Sequence, residues 1–163
     1  MESGESLLSI LGYFISNLRL IFRLTLEHIE VAMMAVIIST IIGVAIGISI
    51  TRIKKLVTPV IGIAGVIYTI PSLALFGMLI PFIGIGVKPA VIALILYGQL
   101  ALIRNTYVGI TQIDRAVVDA GKGMGMSSWQ FLRMVELPLA LPVIMAGIRT
   151  AAVMNIGTAT IAA

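Results

Sequence analysis

Residues 119–138 read DAGKGMGMSSWQFLRMVELP. Three glycines, a lysine and two serines crowd together here, with long apolar runs on either side. A nucleotide-binding P-loop needs two glycines five positions apart, with Lys-Ser or Lys-Thr after the second. Gly121, Gly123 and Gly125 never reach that spacing, and Lys122 falls between the first two. The dinucleotide fingerprint needs a glycine where Met126 stands, and no hydrophobic strand precedes the segment. Phosphate binding is therefore set aside, and the spacing predicts two short helices with a turn between them. Asp114 to Met124 forms the first. Gly125 stops it, because glycine takes the left-handed conformation at a helix end. Ser127 opens the second, and Gln130 three positions on completes a capping box. Trp129, Leu132 and Val135 share a face, with Trp129 expected as a packing anchor. Leu137-Pro138 leads into the next apolar run, since proline is accepted in a first helical turn.

Outward from this knob the chain is oily. It has 163 residues, 60% hydrophobic and 11% charged, with a mean hydropathy of +1.14. A soluble domain of that composition would expose large apolar patches, so an all-α membrane helix bundle is expected. A span takes about 20 apolar residues. Val31 to Thr51 carries no charge, and Ser39, Gly43 and Gly47 recur at every fourth place, a small-residue stripe suited to close helix packing. Leu56 to Val87 is also charge-free. As one helix it would run roughly 48 Å, so the glycines of PFIGIGVKP, residues 81–89, are expected to turn the chain, and Pro71 to kink the span before them. The expected spans are about 29–51, 58–80, 87–105 and 138–163, with a cytoplasmic loop at 106–137. Residues 1–28 read as an amphipathic helix lying along the membrane.

Basic residues set the orientation. Arg52, Lys54, Lys55, Arg104, Arg115, Lys122 and Arg133 lie on one side, against Arg19, Arg23 and Lys88 on the other. The positive-inside rule places the richer side in the cytoplasm. There are no cysteines, no metal-ligand spacing, and no Lys/Arg cluster interleaved with aromatics that would suggest nucleic acid. The start lacks the basic region of a signal peptide.

The knob resembles the "EAA" loop of binding-protein-dependent ABC importer permeases. That motif is Glu-Ala-Ala, three residues, Gly, nine residues, Ile-x-Leu-Pro. The same spacing holds in Asp119-Ala120-Gly121, KGM, Gly125, MSSWQFLRM and Val135-Glu136-Leu137-Pro138. Asp replaces Glu, Gly121 the second Ala, and Val135 the Ile. The stretches YTIPSLALFGMLIPFIGIG, LIRNTYVGI, LPLALPVIMAGIRTA and GTATIAA are similar to permeases of osmoprotectant importers for glycine betaine, carnitine or choline, over roughly residues 24–163. GQLALIRN departs from relatives that carry Leu-Leu-Pro before the Arg-Asn.

The resemblance implies a type I importer permease fold with five core spans, so one more span is expected beyond the four visible here. It implies a second permease subunit, same or different, two cytoplasmic ATPase subunits that bind ATP and Mg, and an extracellular solute-binding protein, at a bacterial plasma membrane and among its lipid. Asp119, Ala120, Gly121, Met124, Gly125, Met126, Leu137 and Pro138 are the expected ATPase-coupling residues. This chain itself is expected to carry no cofactor or metal and no catalysis. Tyr68, Tyr97, Asn105 and Asn155 are candidates for the translocation path, with helix packing as the competing role. Arg149 is costly inside a span and is expected to have a structural partner; His28 is expected at a solvated interface. A permease for another solute such as methionine, a secondary carrier, and a membrane enzyme are the rivals. The absence of intramembrane acids argues against the carrier, and the absence of a nucleophile–base pair argues against the enzyme.

Overall fold

The computed structural model describes residues 12–162, and of residues 161–162 only the backbone. The described residues form helices α1 (Leu18–Arg52), α2 (Val57–Thr69), α3 (Ser72–Ile83), α4 (Val87–Thr111), α5 (Arg115–Gly123), α6 (Ser128–Phe131) and α7 (Leu137–Ala162). A 3-10 turn at Lys54–Leu56 precedes α2, and a π-helical turn at Leu132–Glu136 joins α6 to α7. Among the described residues three helical stretches are long and apolar enough to cross a membrane, Leu18–Arg52, Val87–Thr111 and Ser128–Thr160, and Lys54–Thr69 with Ser72–Ile83 reaches that length only as a bent pair.

α1, α4 and α7 form the core of the bundle. The small-residue stripe of α1 lies on α4. A methyl group at Gly43 would stand 2.6 Å from Leu102 Cβ, and one at Gly47 the same distance from Thr106 Cβ. Only hydrogen fits there, so the backbones approach closely, the usual way to gain packing energy where lipid offers no hydrophobic drive. The α4–α7 seam repeats the device, with Gly109 against Ala140 and Val143, and Gly147 against Asn105. At the end of the bundle nearest α6, Ile110, Leu132, Ala140 and Ile144 make one buried cluster, with Val44 and Ile48 of α1 packed on it.

The stretch expected as a span at 58–80, kinked at Pro71, is broken at that proline into two helices. α2 and α3 meet at a bend of 99°. Ile70 (φ −68°, ψ 129°) and Pro71 (φ −58°, ψ 137°) are both extended. Proline forces its predecessor out of the helical region and offers no N–H. The break survives because the Tyr97 hydroxyl of α4 donates to the Ile70 carbonyl at 2.5 Å, satisfying a group that lipid cannot. The expected turn at 81–89 centres on Gly84 and Gly86, both at positive φ.

The N-terminal reading falls partly on residues 1–11, outside the described residues. Beyond them, a helical stretch at 12–16 ends in a turn at Asn17, and no break falls near residue 28: α1 runs unbroken for 35 residues, about 52 Å at 1.5 Å per residue. His28 does not stand apart from the bundle. Its Nε2 lies 3.1 Å from the Ile156 carbonyl of α7.

Candidate functional site: a capped knob fused to a membrane helix

The knob is built from α5, a turn and α6. Asp114 caps α5, its Oδ1 accepting from the Ala116 N–H at 2.9 Å. The helix ends in a Schellman arrangement. Met126 N–H donates to the Gly121 carbonyl (3.2 Å) and Gly125 N–H to the Lys122 carbonyl (2.9 Å). Gly125 stands at φ +72°, the left-handed conformation that this motif requires after the cap. Ser127 and Gln130 form the expected capping box, with Ser127 N–H donating to Gln130 Oε1 (2.9 Å) and Gln130 N–H to Ser127 Oγ (3.3 Å). Both helix ends that face the turn are therefore capped within the ten residues 121–130, and the turn has little freedom left.

No stop separates α6 from the membrane helix. α7 begins at Leu137, where the sequence placed the start of the span, but without a break: the helix continues from Ser128 through the π turn into it. Leu137 N–H donates to the Leu132 carbonyl, five residues back. Pro138 explains the wider turn. It brings no N–H, and its ring would collide with the carbonyl four residues earlier in a regular helix. The knob's second helix and the span are one rod.

The expected coupling residues divide by orientation. Asp119, Ala120, Gly125 and Pro138 are exposed, as is Met124 at 72%. Met126 and Leu137 are half-buried, and Leu137 rests on the Ile110–Leu132–Ala140–Ile144 cluster. Gly121 is buried and faces the knob itself: a Cβ there would stand 2.5 Å from Phe131 Cε2. Its small size serves the contact of α5 with α6, where the motif otherwise has alanine. Gly121→Ala should push α5 off Phe131 and lower stability by about 1–3 kcal/mol, the range for overpacking. Phe131→Leu should recover most of that loss in a thermal melt, whereas a loss that persists in the double variant would place the strain elsewhere. Trp129, expected as a packing anchor, is 66% exposed. It faces outward with Met124.

One pair escaped the sequence reading. Arg52, the last residue of α1, grips Glu136, the last residue of the π turn. Nη1 donates to Oε1 at 3.1 Å and Nη2 to Oε2. The Glu136 side chain is 8% exposed and that of Arg52 44%. Its one sequence signal was an acid at the variable position before Leu-Pro, at the edge of a span. Beside the pair, a cavity of about 580 Å³ separates α5 from the bundle, lined by Thr51, Lys54, Tyr107, Arg115, Asp119 and Lys122 among others.

Of the path candidates, only Tyr68 and Tyr97 are brought together. Asn155 is 0% exposed inside the bundle, and its amide finds no partner among the described residues. Tyr97 is buried and spends its hydroxyl on Ile70. Asn105 donates to the Ala101 carbonyl on its own helix at 2.8 Å. Tyr68 remains exposed, edge-on to Tyr97 at 6.5 Å between ring centres. Arg149 has no carboxylate partner among the described residues. It opens onto a groove of about 740 Å³ along α7, with Pro142, Met145, Ala146, Thr150 and Val153. No group of three or more potential metal ligands occurs among the described residues.

Residues 39–163 match the family described as the binding-protein-dependent transport system inner membrane component. The chain belongs to that family. It is thus a multi-pass membrane component of a bacterial transport system. The chain is 48% identical to the osmoprotectant import permease protein OsmW of Salmonella typhimurium, over 93% of this chain and 73% of the relative. Two Bacillus subtilis proteins are also similar. The glycine betaine/carnitine/choline transport system permease protein OpuCB is 44% identical, over 83% of this chain and 63% of its own length. The choline transport system permease protein OpuBB is 46% identical, over 85% and 64%. The chain thus spans less than two thirds of those two proteins. Among solved structures, an inward-facing MetNI methionine ABC transporter matches with a TM-score of 0.71 at 23% identity, over 80% of this chain and 67% of that one. That likeness concerns the fold.

Proposed function

We propose that this chain is the membrane-spanning permease subunit of an ATP-driven importer of quaternary ammonium osmoprotectants: glycine betaine, carnitine and choline. It works beside a second permease subunit and receives solute from an extracellular binding protein. Two cytoplasmic ATPase subunits bind ATP and Mg; the permease holds neither and catalyses nothing. Asp119, Ala120, Met124, Gly125 and Met126 form the surface that enters an ATPase groove, with Trp129 added to it. Gly121 shapes that surface from within, and Leu137-Pro138 join it to the span.

The observation that carries this reading is the unbroken helix from Ser128 into α7. A knob capped at both ends of its turn and fused to a span passes displacement on without absorbing it. The solute class is supported by the names of relatives 44–48% identical to this chain. The test is uptake of labelled glycine betaine, carnitine and choline into vesicles holding the complete complex. ATP-dependent accumulation of at least one is expected. Accumulation of methionine alone, or uptake indifferent to ATP, would overturn the proposal.

A further inference from the structure

We infer that the Arg52–Glu136 pair is a positioning joint that makes the cytoplasmic end of α1 move with the coupling knob; this rests on the transport reading above. The pair continues an apolar seam. On α1 the seam residues are Val44 and Ile48, and Arg52 lies one turn further. On the facing helix they are Ile144, Ala140 and Leu132, with Glu136 between the last two. Apolar side chains would continue that seam without the cost of dehydrating a carboxylate, and a buried ion pair is poor evidence for stability as such. What a forked guanidinium–carboxylate contact adds is geometry: two parallel bonds tolerate one orientation.

That orientation matters at this position. Glu136 closes the π turn, where the helix takes an extra residue and its faces rotate relative to a regular α-helix. The turn lies between the knob and the span, the point where a rod could twist instead of pushing. Arg52 is equally terminal: Ile53 leaves helical geometry at φ −120°, ψ 79°. On the other side of the pair the cavity keeps α5 away from the bundle. The joint therefore ties α1 to the knob at the place where packing gives out, across 84 residues of chain. Motion delivered to α6 reaches α7 through the helix and α1 through Arg52.

The test uses the complete complex in vesicles. Glu136→Gln and Arg52→Gln should lower solute carried per ATP hydrolysed about tenfold, within the usual range of coupling free energies, while the ATPase still co-purifies. Arg52→Lys should recover part of the ratio. The apolar pair Arg52→Met with Glu136→Leu should restore yield and melting temperature but not the ratio. A wild-type ratio in that apolar pair, or in both single variants, would reduce the contact to packing and overturn the inference. A second readout needs no solute. The chain has no cysteines, so spin labels at Thr51→Cys, in the last turn of α1, and Lys122→Cys report α1 against α5. Their separation should stay constant when ATP binds, and change with ATP once Glu136→Gln is added. A separation that changes with the pair intact also overturns the joint. If the wild type carries none of the three solutes, the solute assignment fails while the distance measurement still decides the joint.

Discussion

Gly47→Val should be the most destabilising single substitution in the bundle. A Cβ at position 47 meets Thr106 Cβ at 2.6 Å, Thr106 Cγ2 at 2.8 Å and the Ile103 carbonyl oxygen at 3.1 Å. Thr106 is fully buried, and the carbonyl belongs to the α4 backbone, so neither can step aside. The helices must separate, and the loss spreads along the Ser39–Gly43–Gly47 seam. Overpacking by one methyl costs about 1–3 kcal/mol, and valine adds two further carbons, so a loss of at least about 3 kcal/mol is expected. Thermal unfolding of the purified permease in detergent measures it. Gly62→Ala is the control, because nothing lies within 4 Å of a Cβ there. Compensation is the sharper arm. Thr106→Gly removes the atoms that Gly47→Ala would strike, and Thr106 Oγ1 has no hydrogen-bond partner among the described residues to lose. The double variant should melt above Gly47→Ala alone. Equal melting of Gly47→Val and Gly62→Ala would mean that α1 and α4 do not meet along this stripe.

That stripe was legible in the sequence because its cause is local. Small residues at four-residue spacing have few uses in a membrane helix other than close approach. The stop at Gly125 and the Ser127–Gln130 box were legible for the same reason: each is a contact between residues at most five apart. What the sequence hid depends on distant partners. Pro71 announces a disturbed helix, but whether it kinks or breaks depends on who takes the freed Ile70 carbonyl, and that is Tyr97, 27 residues away. Arg52 counted only as a cytoplasmic charge until its fork met Glu136. Asn155 read as a possible pathway residue because polarity in a span suggests function; its burial between helices depends on rotation about the α7 axis, which composition does not set. Trp129 was expected inward as a large aromatic, yet on a knob standing off the bundle there is little interior to receive it.

Gly125→Trp should abolish docking of the ATPase while leaving membrane insertion intact. Two effects combine at this residue. The backbone stands at φ +72°, where a residue with a Cβ costs roughly 1–2 kcal/mol, so the Schellman ending of α5 loosens. The space around it is open, with nothing within 4 Å of a Cβ, so the indole does not disrupt the chain's own packing. It projects from the face assigned to the ATPase groove and blocks entry by bulk. A graded series separates the two effects. Gly125→Asn should dock almost normally, because asparagine accepts the left-handed conformation. Gly125→Ala should weaken docking about tenfold, in line with the backbone cost. Gly125→Trp should weaken it at least about 100-fold, beyond what the backbone alone explains. Co-purification and titration of the ATPase against permease in detergent read all three, and membrane fractionation reads insertion. A tryptophan variant that binds its ATPase as the alanine variant does would show that the Gly125 face is free in the complex. The motor would then have to grip the permease elsewhere.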